Sequence, residues 1–348
     1  MGPNRLPLLI TGITGVAGFN ALHYFRERYP AQVIGIRPVK TEKLRGAEVI
    51  PLDAENSEDM RELFRDFRFQ SVLHCAGNCA LRACELNPGM ARCLNVDAAA
   101  NVLENIQQWG ARLVHLSSDL VFSGKGSGNY AETDPIDPVT VYGKTMGEAE
   151  GLIQDGAPGA AILRISLPMG PSFNRHAGAI DWISWRFRKG RRATLYFDEV
   201  RSCAYVEDMN RLYERLLAGN EAGLFHLGGP RALSLYQIAQ IVNRVGGYDP
   251  KLLNGCFRKE AGPVPPRAGN VSLRSDKLTG ILGQNPCKPW PAHDSLLPAD
   301  RLWHCRRSGD GDGSMHAIRR RLYGYSENDW WMDGRQVGLD REPHRELR

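Results

Sequence analysis

Along the first half of the chain, apolar residues come in short blocks. Each block is followed by a stretch in which they recur every three or four positions. Residues 6–10 (LPLLI) form a run closed by glycines, the pattern of a strand buried on both faces. Ala17, Ala21, Leu22 and Phe25 then fall on one stripe, which predicts a helix over Val16–Arg28. Further strands are predicted at Gln32–Ile36, Glu48–Leu52, Ser71–Cys75, Leu113–Ser117 and Ala160–Ile165, with helices at Ser57–Phe67, Met90–Gln108 and Tyr142–Gln154. Strands alternating with helices at this spacing predict an α/β fold, a doubly wound parallel sheet of Rossmann type.

The rhythm changes after residue 166. Ile180–Arg188, Val206–Leu217 and Ser234–Val245 have helical periodicity, with short strands such as Gly223–Leu227 between them. This predicts a smaller C-terminal lobe added to the sheet. The division expected is 1–166 for the dinucleotide-type domain, 167–284 for a lobe interleaved with it, and 285–348 for a C-terminal extension. That extension opens on a proline-rich stretch and holds four of the seven tryptophans, Trp290, Trp303, Trp330 and Trp331. So many large aromatics predict a tail that packs on its own chain, on a second copy or on a partner. Ser308–Ser314 (SGDGDGS) begins like a calcium loop, but Met315 and Arg321 stand where its glycine and glutamate belong, so a flexible turn is predicted there.

Composition narrows the class. Hydrophobic content of 42% and charged content of 24% suit a globular enzyme, and a net charge of +5 is mild over 348 residues. The one basic run, Arg186–Arg192, reads as a solvated helix end, and no nucleic-acid motif accompanies it. No apolar run approaches the ~18 residues of a membrane span, and the N-terminal apolar stretch is too short for a signal peptide. The spacing of the eight cysteines matches no common zinc pattern, which favours reduced thiols, no metal and a cytoplasmic location.

Thr11–Gly18 (TGITGVAG) joins the first strand to the first helix. Gly12, Gly15 and Gly18 allow a tight turn and a close approach of backbone to a pyrophosphate. The helix N-terminus beyond Thr14 and Val16 offers unpaired N–H groups to it. Arg37 closes the second strand, where an acidic residue would suit NAD and an arginine suits the 2′-phosphate of NADP. Asp53 closes the third, placed to meet adenine or to cap a turn.

These pieces, with VLHCAG at 72–77, HLSSDLVFSG at 115–124, DPVTVYGKT at 137–145, RSCAYVEDM at 201–209 and PPRAGNVSLRSDKL at 265–278, resemble the extended short-chain dehydrogenase/reductases. The resemblance is specifically to the dTDP-4-dehydrorhamnose reductase family, from about residue 7 to about residue 284. It implies hydride transfer from NADPH to the 4-keto group of a nucleotide-linked sugar, with 167–284 as the substrate-binding lobe. Residue by residue, it implies Tyr142 as proton donor, Ser118 as its hydroxyl partner and Asn95 as support behind the site. Cys75, Ala76 and Gly77 would line the cofactor, while Asp119 and Arg201 would lie on the substrate side, Arg201 meeting its pyrophosphate. The HCA, SSD-x-VF and YGKT segments also resemble the regulatory β subunit of methionine adenosyltransferase, which implies a protein partner instead.

One departure matters most. The family carries a lysine four residues after the tyrosine, on the same helix face, and Met146 stands there. That lysine holds the nicotinamide ribose and lowers the phenol pKa. A unit charge about 4 Å away at an effective dielectric near 20 is worth roughly 4 kcal/mol, about three pK units. Methionine supplies only packing. Lys144 is no substitute, since two residues place it about 200° around the helix. Leu120 and Ser123 are further departures, at positions where many members have tyrosine and aspartate. Three readings stay open: a reductase that works without the lysine, a non-catalytic NADP-binding subunit, or an epimerase-like sugar-nucleotide reaction.

Overall fold

The computed structural model describes residues 5–41, 44–306 and 315–324. In chain order the first part runs β1 (Leu8–Thr11), α1 (Val16–Arg28), β2 (Val33–Arg37), β3 (Val49–Pro51), α2 (Ser57–Phe67), β4 (Ser71–His74), α3 (Leu81–Leu86), α4 (Pro88–Arg92), α5 (Ala98–Trp109), β5 (Arg112–Ser118), α6 (Val141–Gly156) and β6 (Ala161–Ile165). There follow β7 (Pro168–Met169), α7 (Ala179–Arg188), β8 (Ala193–Tyr196), β9 (Val200–Ser202), β10 (Ala204–Tyr205), α8 (Val206–Ala218), β11 (Gly223–Leu227), β12 (Ala232–Ser234), α9 (Leu235–Val245), β13 (Leu253–Cys256), α10 (Asp276–Leu282) and α11 (Met315–Leu322).

Seven strands form one parallel sheet in the order β11-β6-β5-β4-β1-β2-β3. Its two faces follow from strand geometry, because successive side chains point to opposite sides. Leu8 and Ile10 enter a core with Phe25 of α1 and Leu212 and Leu216 of α8. Leu9 enters the opposite core with Met60 and Phe64 of α2, Val102 and Ile106 of α5 and Ile153 of α6. The strand order reverses between β1 and β4, so the crevice for a ligand opens at their carboxyl ends.

Local signals set the helix limits. Asn56 accepts the Glu58 and Asp59 amides at the start of α2, and Thr140 Oγ1 accepts the Gly143 amide at 2.9 Å at the start of α6. Ser234 and Gln237 cap α9 reciprocally.

Two sequence expectations need correction. Met90–Gln108 is not one continuous α-helix: a π-helical turn, Cys93–Asp97, separates α4 from α5, and the Ala98 amide bonds Cys93 O. Cys93–Asp97 (CLNVD) holds no proline or glycine, so no local breaker marks the turn in the sequence. Gly223–Leu227 is not a lobe strand. It returns to the main sheet as the edge β11, with Phe225 opposite Leu163.

The lobe has its own core of Ile180, Ile183, Ile238, Ile241 and Val242, beneath the pairs β8/β13 and β9/β12. The extension closes that core. Trp290 is fully buried and donates its indole N–H to Leu322 O at 2.8 Å, while Arg244 lies over the Trp303 ring at 4.1 Å. The tail therefore packs on its own chain as far as residue 324. Trp330, Trp331 and the Ser308–Ser314 turn lie outside the described residues.

Candidate functional site

The glycine turn follows β1. Gly12 has φ 65°, and a Cβ there would lie 2.4 Å from Cys75 O, so the loop after β4 leaves room for hydrogen alone. A Cβ on Gly18 would lie 2.5 Å from Gly12 O, which packs α1 tightly on the turn. Gly15 N–H bonds Gly12 O at 3.0 Å. Thr14 lies between them, half-buried, while Val16 is buried at the head of α1. Gly15 is the N-cap of α1 and brings no side-chain cap, and the first turn holds no acid. Its N–H groups are therefore left to a ligand, and the residues present suit a pyrophosphate.

Thr11 Oγ1 accepts the amides of Cys75 (3.1 Å) and Ala76 (3.0 Å). Its own proton then goes to His74 Nδ1 at 2.8 Å, which fixes that imidazole as the Nε2–H tautomer. This hydroxyl ties the two loops on either side of the crevice. Burial pushes the Cys75 thiol far up, so it is a neutral wall. Gly77, with φ 149°, leaves space that a Cβ would take 3.0 Å from Asn95 Oδ1.

Arg37 is buried at the end of β2. Its Nε donates to Leu44 O at 2.7 Å and its Nη1 to Pro38 O and Val39 O at 3.0 and 3.2 Å, so it shapes the loop beyond the strand. Its Nη2 bonds nothing among the described residues. Asp53 Oδ1 accepts the Val39 amide at 3.0 Å, bracing the same loop.

Ser118 ends β5, its hydroxyl donating to Asp119 Oδ1 at 3.2 Å and accepting the Leu120 amide at 3.1 Å, and Tyr142 stands in the first turn of α6, where the Ser118 side chain acts on its phenol. Burial first, then the Cys79 thiol, drives the phenol pKa well above its ordinary value of 10, and only the Ser118 bond opposes them. None of the groups acting on the phenol among the described residues is a cation. Lys144 is exposed, as the helix geometry requires. Met146 is 4% exposed and shares an apolar cluster with Leu120, Val121, Phe122, Val271 and Leu273, with Tyr142 packed against it. Met146 and Leu120, two of the departures named in the sequence, thus lie in one apolar cluster.

Asn95 lies in the π turn, 1% exposed. It accepts the Asn78 amide at 2.6 Å and donates to Thr145 Oγ1 at 2.8 Å, and Thr145 donates to Tyr142 O. Beyond Ser118, Asp119 accepts Ser166 Oγ–H at 2.7 Å and lies 3.3 Å from Arg201. Arg201 donates to Glu199 at 2.8 Å, and Glu199 meets Arg267 at 3.5 Å. Arg201 is 5% exposed and held between two carboxylates, and its Nη1 lacks a hydrogen bond among the described residues. Past Arg267 opens a cavity of about 630 Å³ lined by Phe257, Arg258, Lys259 and Asp198.

With this geometry in hand, the comparisons decide the family. Residues 6–295 match the RmlD substrate binding domain. The chain belongs to that family. The methionine adenosyltransferase 2 subunit beta of Bos taurus is 30% identical over 244 residues, 68% of this chain and 71% of that protein. The probable low-salt glycan biosynthesis reductase of Haloferax volcanii is 24% identical over 276 residues, 79% and 91% of the two chains. Among solved structures, the dTDP-4-dehydrorhamnose reductase of Bacillus anthracis in complex with NADP superposes with a TM-score of 0.70 at 20% identity, covering 80% of this chain and 94% of that one. The UDP-glucose 4-epimerase of Thermotoga maritima with UDP-glucose gives 0.73 at 19%, covering 83% and 96%. At these identities the structures share the fold.

The structure gathers the glycine turn, Ser118, Tyr142 and Asn95 predicted from the sequence around the carboxyl ends of β1, β4 and β5. The sequence did not reveal Thr11 as the tie between loops or the Glu199–Arg267 link to the basic cavity. Only the Pro-Pro-Arg at 265–267 signalled the last.

Proposed function

We propose that this chain is an NADP(H)-dependent reductase of a 4-keto nucleotide sugar that operates without the lysine of its relatives. One observation carries the reading: Ser118, at the end of β5, and Tyr142, in the first turn of α6, come together at the crevice, where burial raises the phenol pKa. Reduction requires an acid at that place, and a raised pKa keeps the acid loaded at neutral pH. A bound nicotinamide cofactor supplies the hydride to the carbonyl carbon. As the carbonyl π pair moves onto oxygen, Tyr142 gives that oxygen its proton and Ser118 hydrogen-bonds it.

The glycine turn and α1 would hold the pyrophosphate, and the Nη2 side of Arg37 the 2′-phosphate. Arg258, Lys259 and Arg267, beside Phe257, suit the nucleotide diphosphate of the substrate, with Arg201 fixed behind them by Asp119 and Glu199. The same phenol argues against an epimerase-like cycle, which needs the tyrosinate as base.

A second reading rests on Met146. Its apolar surroundings and the likeness to the methionine adenosyltransferase β subunit support a non-catalytic NADP-binding subunit with a protein partner. NADPH oxidation against a panel of 4-keto dTDP- and UDP-sugars separates the two. Turnover lost in Tyr142→Phe supports the reductase. No turnover in the wild type, together with stoichiometric capture of one enzyme, supports the subunit.

A further inference from the structure

The loop between β7 and α7, residues 170–178, lies along the N-terminal half of α1. Pro171 O accepts Asn20 Nδ2–H at 2.8 Å, and Phe173 tilts against Phe19 at 6.5 Å. At Gly178 a Cβ would sit 2.7 Å from Val16 Cγ2. Val16 and Phe19 belong to the first turn of α1, directly after the glycine turn. The loop thus borders the place where a pyrophosphate would sit.

One buried carboxylate holds this loop. Asp181, 2% exposed, accepts both the Ser172 amide (2.8 Å) and the Ser172 hydroxyl (2.6 Å) through Oδ2. Its other oxygen, Oδ1, accepts the hydroxyl of Tyr323, which arrives from the far end of the chain. Tyr323 is 1% exposed and is kept in place from two sides. Trp290 donates to the preceding carbonyl, Leu322 O. Gly324, with φ 78°, then lets the chain pass against the Tyr205 ring, where a Cβ would approach to 2.5 Å. Tyr205 in turn accepts the Ala292 amide at 2.9 Å, so both limbs of the extension meet at this point.

We propose that the C-terminal extension is a strap on the cofactor-facing loop, with Tyr323 as a positioning residue that sets dinucleotide affinity through Asp181 and Ser172. The hydroxyl completes the hydrogen bonding of a buried carboxylate. Without it Asp181 has one oxygen unpaired, and the Ser172 clasp loosens. The affinity part rests on the cofactor reading above, while the coupling of strap to loop does not.

The test is hydrogen exchange of the full chain without nucleotide, on the wild type, Tyr323→Phe, Ser172→Ala and the double variant, followed by NADPH titration of each. Exchange in residues 170–178 is expected to rise about tenfold in each single variant, with the strands β1, β4 and β5 unchanged, and NADPH affinity to fall by about the same factor. The double variant is expected to be no worse than either single, since both break one relay. Unchanged protection of 170–178 in Tyr323→Phe, with Trp290 and Leu322 still protected, would overturn the strap, as would additive effects. Should Tyr323→Phe unfold the chain, Ser172→Ala decides: normal loop protection overturns the proposal. NADPH binding to none of the proteins would sink the cofactor reading and the affinity claim, leaving loop exchange to judge the coupling.

Discussion

Asn95 donates to Thr145 Oγ1 at 2.8 Å, so the π turn before α5 is fastened to the helix that carries Tyr142. Thr145 passes the contact to Tyr142 O, and Asn95 also receives the Asn78 amide from the loop after β4. One buried amide thus sets the distance between the loop after β4 and the tyrosine helix.

We predict that Asn95→Leu, similar in volume, lowers unfolding free energy by about 2 kcal/mol, because it leaves the Asn78 amide without its acceptor in a buried place. Urea denaturation measures this. Activity should fall further than stability implies, since Tyr142 loses its backing; an unchanged midpoint would refute the role.

Met146→Lys should lower the Tyr142 pKa by up to about three units and destabilise the free protein by a few kcal/mol, because the ammonium enters an apolar cluster. Ultraviolet titration of tyrosinate and thermal melting report the two effects. Added NADP should recover part of the stability if the lysine reaches a bound ribose. A tyrosinate titration identical to the wild type would show that residue 146 does not face the phenol.

Acid should weaken the fold through its buried histidines. Burial lowers His115 from 6.5 to about 4, and His226 likewise to about 4, so both are neutral when folded at neutral pH. As pH falls below 6.5 the unfolded chain binds protons that the folded chain refuses, and stability drops until about pH 4, where both states are protonated. For His115 the loss is roughly 3 kcal/mol. Urea midpoints at pH 7 and pH 5 measure it, and His115→Leu should flatten the dependence. A midpoint that does not move between those pH values would contradict the assignment.

Arg37→Ala should weaken NADPH more than NADH, by about tenfold in the ratio, as the loss of a charge-assisted contact predicts. Some loss for both is expected, because Arg37 also holds the carbonyls of Pro38, Val39 and Leu44. Calorimetry with the two cofactors checks it, and an unchanged ratio removes the 2′-phosphate role.

The sheet was legible because short apolar runs and helical stripes follow one another: the Leu8–Leu9–Ile10 run implied a strand buried on both faces, and the Ala17–Phe25 stripe a helix packed on one of them. The π turn was hidden, since Cys93–Asp97 holds no proline or glycine to mark a break. The β11 strand was assigned to the lobe because nothing local shows that Phe225 will pair beside Leu163 across an intervening sixty residues of chain. At the site, Ser118 and Tyr142 were singled out by the resemblance to the reductase family. The Asp119–Arg201–Glu199–Arg267 chain was not, because it joins three distant segments whose charges look ordinary until folding buries them.

The most direct measurement is NADPH oxidation by the wild type and by Tyr142→Phe on 4-keto nucleotide sugars across pH 6 to 9. The account predicts wild-type turnover without the alkaline loss that a phenol titrating in this range would impose, and none above background in Tyr142→Phe. Turnover that survives in Tyr142→Phe, or a wild type that binds NADPH yet reduces no member of the panel, would contradict it.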